Sequence, residues 1–154
     1  MRFILFLALL CGSGIQGADA QSGVLYSIDA NSASINRVSL DTGELIDRFT
    51  PPILCKPEGA CGLAYTGRSL FMSDSTDPER VIYELSQVDG TIWNSFPSPS
   101  QQVDGLAYAD GTLYALDFAG DRIFALDPLD GTVRATLEPG VDIVGGMAAG
   151  DGVL

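Results

Sequence analysis

The sequence predicts an all-β fold: a β-propeller of four-stranded antiparallel blades, with about three blades present as a partial ring. Three observations predict it. A glycine-led motif recurs, Gly62-Leu63-Ala64-Tyr65, then Gly105-Leu106-Ala107-Tyr108, then Gly146-Met147-Ala148-Ala149, at spacings of 43 and 41 residues. Strand-like runs follow each full copy at a constant offset, and those runs are short and rich in β-branched and aromatic residues. Gly and Asp separate them, as tight hairpins require.

The elements follow in order. Residues 1–20 are a signal peptide: Arg2 supplies the positive end, 3–10 is an unbroken apolar run, and Ala18-Asp19-Ala20 is a small-x-small cleavage site. Cleavage after Ala20 predicts a secreted or periplasmic protein. No later run approaches the roughly 20 apolar residues of a membrane-spanning helix. Cys11 follows Leu10 where a lipoprotein signal wants a small residue, which leaves lipid anchoring as the lesser alternative.

Residues 21–154 are expected to form one partial propeller domain, with blade parts at 23–49, 59–96, 103–137 and 144–154. The Gly-x-Ala runs are first strands, whose small side chains let neighbouring backbones converge on the axis. Second strands are 25–29, 70–74 and 113–117, third strands 34–38, 81–85 and 122–126, and fourth strands 44–49, 91–96 and 132–137. Asp41-Thr42-Gly43, Asp89-Gly90 and Asp130-Gly131 turn the chain into the fourth strand, while Asp110-Gly111 joins a first to a second. Most of these aspartates are therefore assigned to structure. The Pro- and Ser-rich 96–100 and the 50–52 stretch read as connectors. A plain β-sandwich is the competing fold, disfavoured by the fixed register of the matching units. Leu154 aligns with Leu70 and Leu113, so the chain reads as cut mid-blade; the expectation is a fragment, and the alternative is a short chain that completes its ring by self-association.

Composition removes several function classes. With 20 acidic against 8 basic residues and a net charge of -12, no basic stripe exists to meet nucleic acid or an anionic membrane. The chain has no histidine, so His-based triads, zinc motifs and proton shuttles are absent. Neither GxGxxG nor GxxxxGK[ST] can be read. Beyond Cys11, the cysteines are Cys55 and Cys61, which in an exported protein suggest a local disulfide restraining the unfolded chain by about 2–3 kcal/mol. A reactive pair is the alternative, with C-x5-C spacing and only Lys56 nearby to lower a thiol pKa.

The run 103–133, V-D-G-L-A-Y-A-D-G-T-L-Y-A-L-D through I-F-A-L-D-P-L-D-G-T-V, resembles a blade of the secreted bacterial propellers that include YVTN, NHL, quinoprotein-like and lactonase-like repeats. The WD dipeptide is absent and Trp93 is the lone tryptophan. The resemblance implies the scaffold; for gluconolactonase-type members it also implies a divalent cation held by acidic and amide side chains in the channel, a ligand set with no residue-by-residue match here.

Loops at the channel face offer Glu58, Gln101, Asp104 and Asp142, together with Asp74, Asp77, Asp117 and Asp121. The last four are candidates for Ca²⁺ or another hard cation, which takes six to eight oxygens. Against that, Asp29, Asp74 and Asp117 share one register, as turn-forming aspartates would. Tyr26, Tyr65, Phe71, Tyr83, Tyr108, Tyr114 and Phe124 fall on repeat positions and read as packing between blades, whereas Trp93 and Phe118 are expected to be more exposed. No catalytic constellation and no resident cofactor is visible. The leading function is an exported, non-catalytic module binding an unknown protein or small molecule. The alternative is a fragment of a metal-assisted lactonase-like hydrolase.

Overall fold

The computed structural model describes residues 23–29, 31–53, 61–74, 79–143 and 145–149. The signal segment with Cys11, and also Cys55, Glu58 and Asp77, lie outside the described residues. Three antiparallel sheets follow one another along the chain. The first blade is β1 (Val24–Asp29), β2 (Ser34–Ser39) and β3 (Leu45–Phe49). The second is β4 (Leu63–Tyr65), β5 (Ser69–Ser73), β6 (Val81–Ser86) and β7 (Ile92–Pro97). The third is β8 (Val103–Ala109), β9 (Thr112–Asp117), β10 (Arg122–Leu126) and β11 (Val133–Leu137), with one 3₁₀ turn at Phe118–Gly120. No helix among the described residues is long and apolar enough to cross a membrane.

Residues 146–149, which carry the third Gly-x-Ala copy, are not a strand, because no described strand lies beside them to pair with. They still occupy the first-strand place. A Cβ at Gly105 would lie 3.1 Å from the Met147 nitrogen, just as one at Gly62 would lie 2.8 Å from the Leu106 nitrogen.

Hairpin chemistry repeats with the blades. The amides of Gly43, Gly90 and Gly131, all at positive φ, donate to the carbonyls of Ser39, Ser86 and Asp127 at 2.8–3.0 Å. Asp89 and Asp130 accept from the amides of Thr91 and Thr132, so these aspartates serve the turn; in the first blade the Thr42 hydroxyl takes that part, accepting from the Glu44 amide. Asp110 and Gly111, both at positive φ, make the tight turn between β8 and β9. Each pairing of third with fourth strand slips at one place, between Arg37 and Val38, Glu84 and Leu85, and Ala125 and Leu126. The extra residues are Ile46, Trp93 and Arg134, all exposed on the outer strand, which is the behaviour of a β-bulge.

Strand alternation places the core between blades. On β5, Leu70 and Met72 face the first blade with Ile35 and Leu85, while Phe71 faces the third with Phe96, Leu106 and Leu113. Among the aromatics, Phe71 and Phe124 are buried and Tyr26, Tyr83, Tyr108 and Tyr114 half-buried. Tyr65 departs from the packing role: it is exposed at the inner edge of its sheet, and its ring leans on Tyr26 at 5.1 Å.

Candidate functional site

The inner strands of the second and third blades, β1 of the first and residues 146–147 line a groove of about 310 Å³. Its walls include Tyr26, Ser27 and Ile28 of β1, Cys61 to Leu63, Asp104 to Leu106, and Gly146 with Met147. Glycines at 62 and 105 make this convergence possible: a Cβ at 62 would collide with the Leu106 nitrogen at 2.8 Å, and one at 105 would press on the Met147 nitrogen at 3.1 Å. Asp104 stands on β8 at the groove. Gln102 Nε2 donates to Asp104 Oδ2 at 3.1 Å, but Asp104 Oδ1 is buried with no hydrogen-bond partner. A buried carboxylate oxygen left without a donor is costly, so a turn of the Asp104 side chain that opens Oδ1 to the groove would be favoured by a ligand bearing a donor. Tyr26 borders the same groove and donates to Gln87 Oε1 at 3.0 Å; burial, then the neighbouring Tyr65, hold its phenol above the ordinary pKa.

The remaining candidates do not converge there. Asp117 is buried and pairs with Arg122 Nη2 at 2.9 Å, directly across the β9–β10 hairpin. Gly120 makes room for that pair, because a Cβ there would sit 2.4 Å from Asp117 Oδ2. Arg122 also lies 5.3 Å from the Phe124 ring centroid. Asp121 accepts from the Ile143 amide at 3.1 Å and so braces the chain leaving the third blade. Together with Arg122, Glu138 and Asp142 it borders a separate, open depression of about 410 Å³. Asp29, at the register of Asp117, accepts from Asn31 and Ser32 within its own turn, and the Ser32 hydroxyl holds its carboxyl below the usual range. Asp74 is half-buried and already engaged. Gln101 is exposed and is not among the residues lining the groove. Among the described residues no three acidic or sulfur side chains gather as a metal cluster would.

Sequence reasoning missed Arg122 and Ser73. Arg122 breaks the repeat, standing where the other blades carry Ser34 and Val81, and that departure was a readable signal. Ser73 Oγ accepts from the Gly62 amide at 3.1 Å and donates to the Val103 carbonyl at 3.0 Å, tying two blades beneath the groove. Nothing in its local pattern announces this. Cys61 packs at the joint between first and second blades and is an engaged group.

No family model and no curated protein matches the chain. Solved structures do. The structure of U3-55K is similar over 82% of this chain and 39% of its own, at 17% identity and a TM-score of 0.59. The RRP9 WD40 repeats are similar over 82% and 38%, at 18% identity and a TM-score of 0.57. The computationally designed Ika4 protein is similar over 83% and 74%, at 13% identity and a TM-score of 0.55. The fold is that of a β-propeller. The chain spans well under half the length of the first two chains, and it carries no Trp-Asp dipeptide of its own, so the likeness is one of architecture.

Proposed function

We propose that the chain is an exported, non-catalytic binding module whose ligand, a protein segment or small molecule bearing N–H or O–H donors, docks in the groove at Asp104. The observation that carries this reading is the unpartnered, buried Asp104 Oδ1 at a groove floored by glycine-rich inner strands. The other acidic candidates described are engaged by turns, by Arg122 or by the backbone, or stand in the outlying depression. Likeness to structures described as WD40 repeats supports an interaction scaffold. A Cys55–Cys61 disulfide belongs to this proposal, as it would fasten one wall of the groove.

Selection of displayed random peptides on the full chain tests the reading. Enriched peptides should lose their binding to Asp104→Asn, and a library that yields none, or peptides indifferent to that change, would count against it. Calorimetric titration with CaCl₂ separates the alternative: tight Ca²⁺ uptake abolished by Asp104→Asn would favour the metal-assisted hydrolase.

A further inference from the structure

A second cavity, of about 250 Å³, lies between the second and third blades. The Asp104 groove takes the residues that enter β4 and β8, whereas this cavity takes those that leave them, so the two open at opposite ends of the strands. Its apolar lining is the buried Phe71 of β5, the half-buried Tyr108 of β8, and Pro128 and Leu129 of the β10–β11 hairpin. Its charged members are Glu84 of β6 and Arg68 of the β4–β5 turn. Neither side chain has an ion pair or a hydrogen bond among the described residues.

Glu84 departs from the repeat. Arg37, Glu84 and Ala125 share one register, each a residue before the strand partner of Leu25, Leu70 and Leu113. They stand opposite Asp47, Asn94 and Ala135 of the fourth strands. In the first blade a guanidinium meets a carboxylate there, and in the third two methyl groups meet. In the second the Glu84 carboxylate meets an amide whose nitrogen is already given to the Leu129 carbonyl at 2.8 Å. The second blade thus holds a carboxylate at the register where the first blade completes an ion pair, and no cation answers it.

We propose that this cavity receives a lysine or arginine side chain from an exposed segment of another protein, its cationic head on the Glu84 carboxylate and its aliphatic stem against Phe71, Tyr108 and Leu129. Burial decides which charge the ligand must answer. Glu84 stands on the sheet face and is half-buried, whereas Arg68 is exposed on a turn. A partly desolvated carboxylate gains more from a counter-charge than a solvated guanidinium does. An aromatic lining also favours a cation over an anion. Arg68, at the mouth, then donates to the main-chain carbonyl of the entering residue. The volume is below the about 300–1,000 Å³ of an ordinary small-molecule site, and it suits one anchoring side chain. That selects a protein segment as the source of the cation. A net charge of -12 draws a basic segment on approach, and added salt should slow its capture.

NMR titration of the ¹⁵N-labelled full chain with blocked tripeptides, acetyl-Ala-Lys-Ala-amide and acetyl-Ala-Arg-Ala-amide, tests the proposal. At least one should shift the Phe71, Tyr108 and Leu129 amide signals saturably. The norleucine counterpart keeps the stem and loses the charge, and it should bind about tenfold more weakly or worse. Glu84→Gln should weaken the charged peptide by about tenfold with unchanged circular dichroism. Should that variant lose its fold, the norleucine comparison decides alone. Glu138→Gln removes the same charge at the outlying depression and should change nothing, and Asp104→Asn should also change nothing, which separates this cavity from the groove. Arg68→Ala should cost about two- to threefold through the lost carbonyl contact. Five outcomes overturn the proposal: no shifts with either peptide, equal binding of the norleucine peptide, indifference to a folded Glu84→Gln, a gain in affinity on Arg68→Ala, which would make Arg68 the partner of Glu84, or n-butylammonium binding as tightly as the lysine peptide, which would assign the cavity to a small amine.

Discussion

The joint between the first and second blades and the joint between the second and third share one register, yet they are filled differently. Between second and third, Phe71, Phe96, Leu106, Leu113, Phe124 and Leu126 are all buried, and the inner strands β4 and β8 lie against each other. Between first and second, the buried set is Ile35, Leu70, Met72 and Leu85, with Tyr26, Phe49 and Tyr83 only partly covered. The first blade has no inner strand among the described residues, so β1 is the innermost strand described on that side of the joint. In a repeat fold, stability is a sum of unit and neighbour contributions, and one thin joint is where opening begins.

Adjacent residues on β5 test this directly, because Phe71 faces one joint and Met72 the other. Phe71→Ala should cost about 3–5 kcal/mol in urea denaturation, and Met72→Ala nearer 2 kcal/mol, since water can refill the thinner joint. Equal losses would mean that the two joints are equally closed. Hydrogen exchange of the parent chain at low concentration should show β1–β3 amides opening before those of β8–β10.

Glycine positions sharpen the comparison at the axis. Gly62→Ala presses a methyl against the Leu106 nitrogen, a backbone atom that cannot swing away, and a loss of about 1–3 kcal/mol is expected. Gly146→Ala, at the same repeat position with no described atom within 4 Å of its Cβ position, should stay within about 0.5 kcal/mol. A large effect at 146 would show that something else covers that face.

The propeller was readable because its signals are periodic. The recurrence of Gly-x-Ala, the Asp-Gly hairpins and the β-branched runs each point to one pleated unit, and the alternation of Leu70, Phe71 and Met72 between two joints follows from the strand period. The site was far less readable. Asp104 was identified as a channel residue, but its unpartnered oxygen depends on where Gln102 and the third blade's backbone sit, which no local pattern encodes. Asp117 and Asp121, read as possible cation ligands, are committed to Arg122 and to the Ile143 amide through turns whose geometry appears only after the hairpin closes. Trp93 was expected to be exposed, and the bulge opposite Glu84 and Leu85 is the physical cause.

Ser73 marks a polar difference between the joints. Its hydroxyl links the Gly62 amide and the Val103 carbonyl at the closed joint, while the corresponding β1 position is Ile28. Ser73→Ala leaves a buried donor and a buried acceptor unpaired, so about 1–3 kcal/mol should be lost. Ser73→Cys, a weaker donor and acceptor of similar size, should fall between the two. A loss no greater than that of an exposed serine would mean that water or backbone movement satisfies both groups.

The smallest effect belongs to the first blade's ion pair. Arg37 Nε donates to Asp47 Oδ1 at 2.6 Å on the face turned toward the second blade, and that bond holds the Asp47 carboxyl below its usual range. Its folded pKa is depressed, so its stabilisation is complete above the unfolded value near about 4 and disappears as pH falls through the folded one. The parent and Asp47→Asn should therefore differ in melting temperature at neutral pH by a small amount, as expected for an exposed pair, and the two curves should converge in acid. High salt should narrow the gap at neutral pH as well. A gap that persists below the carboxylate range would assign Asp47 a packing role at the thin joint rather than an electrostatic one.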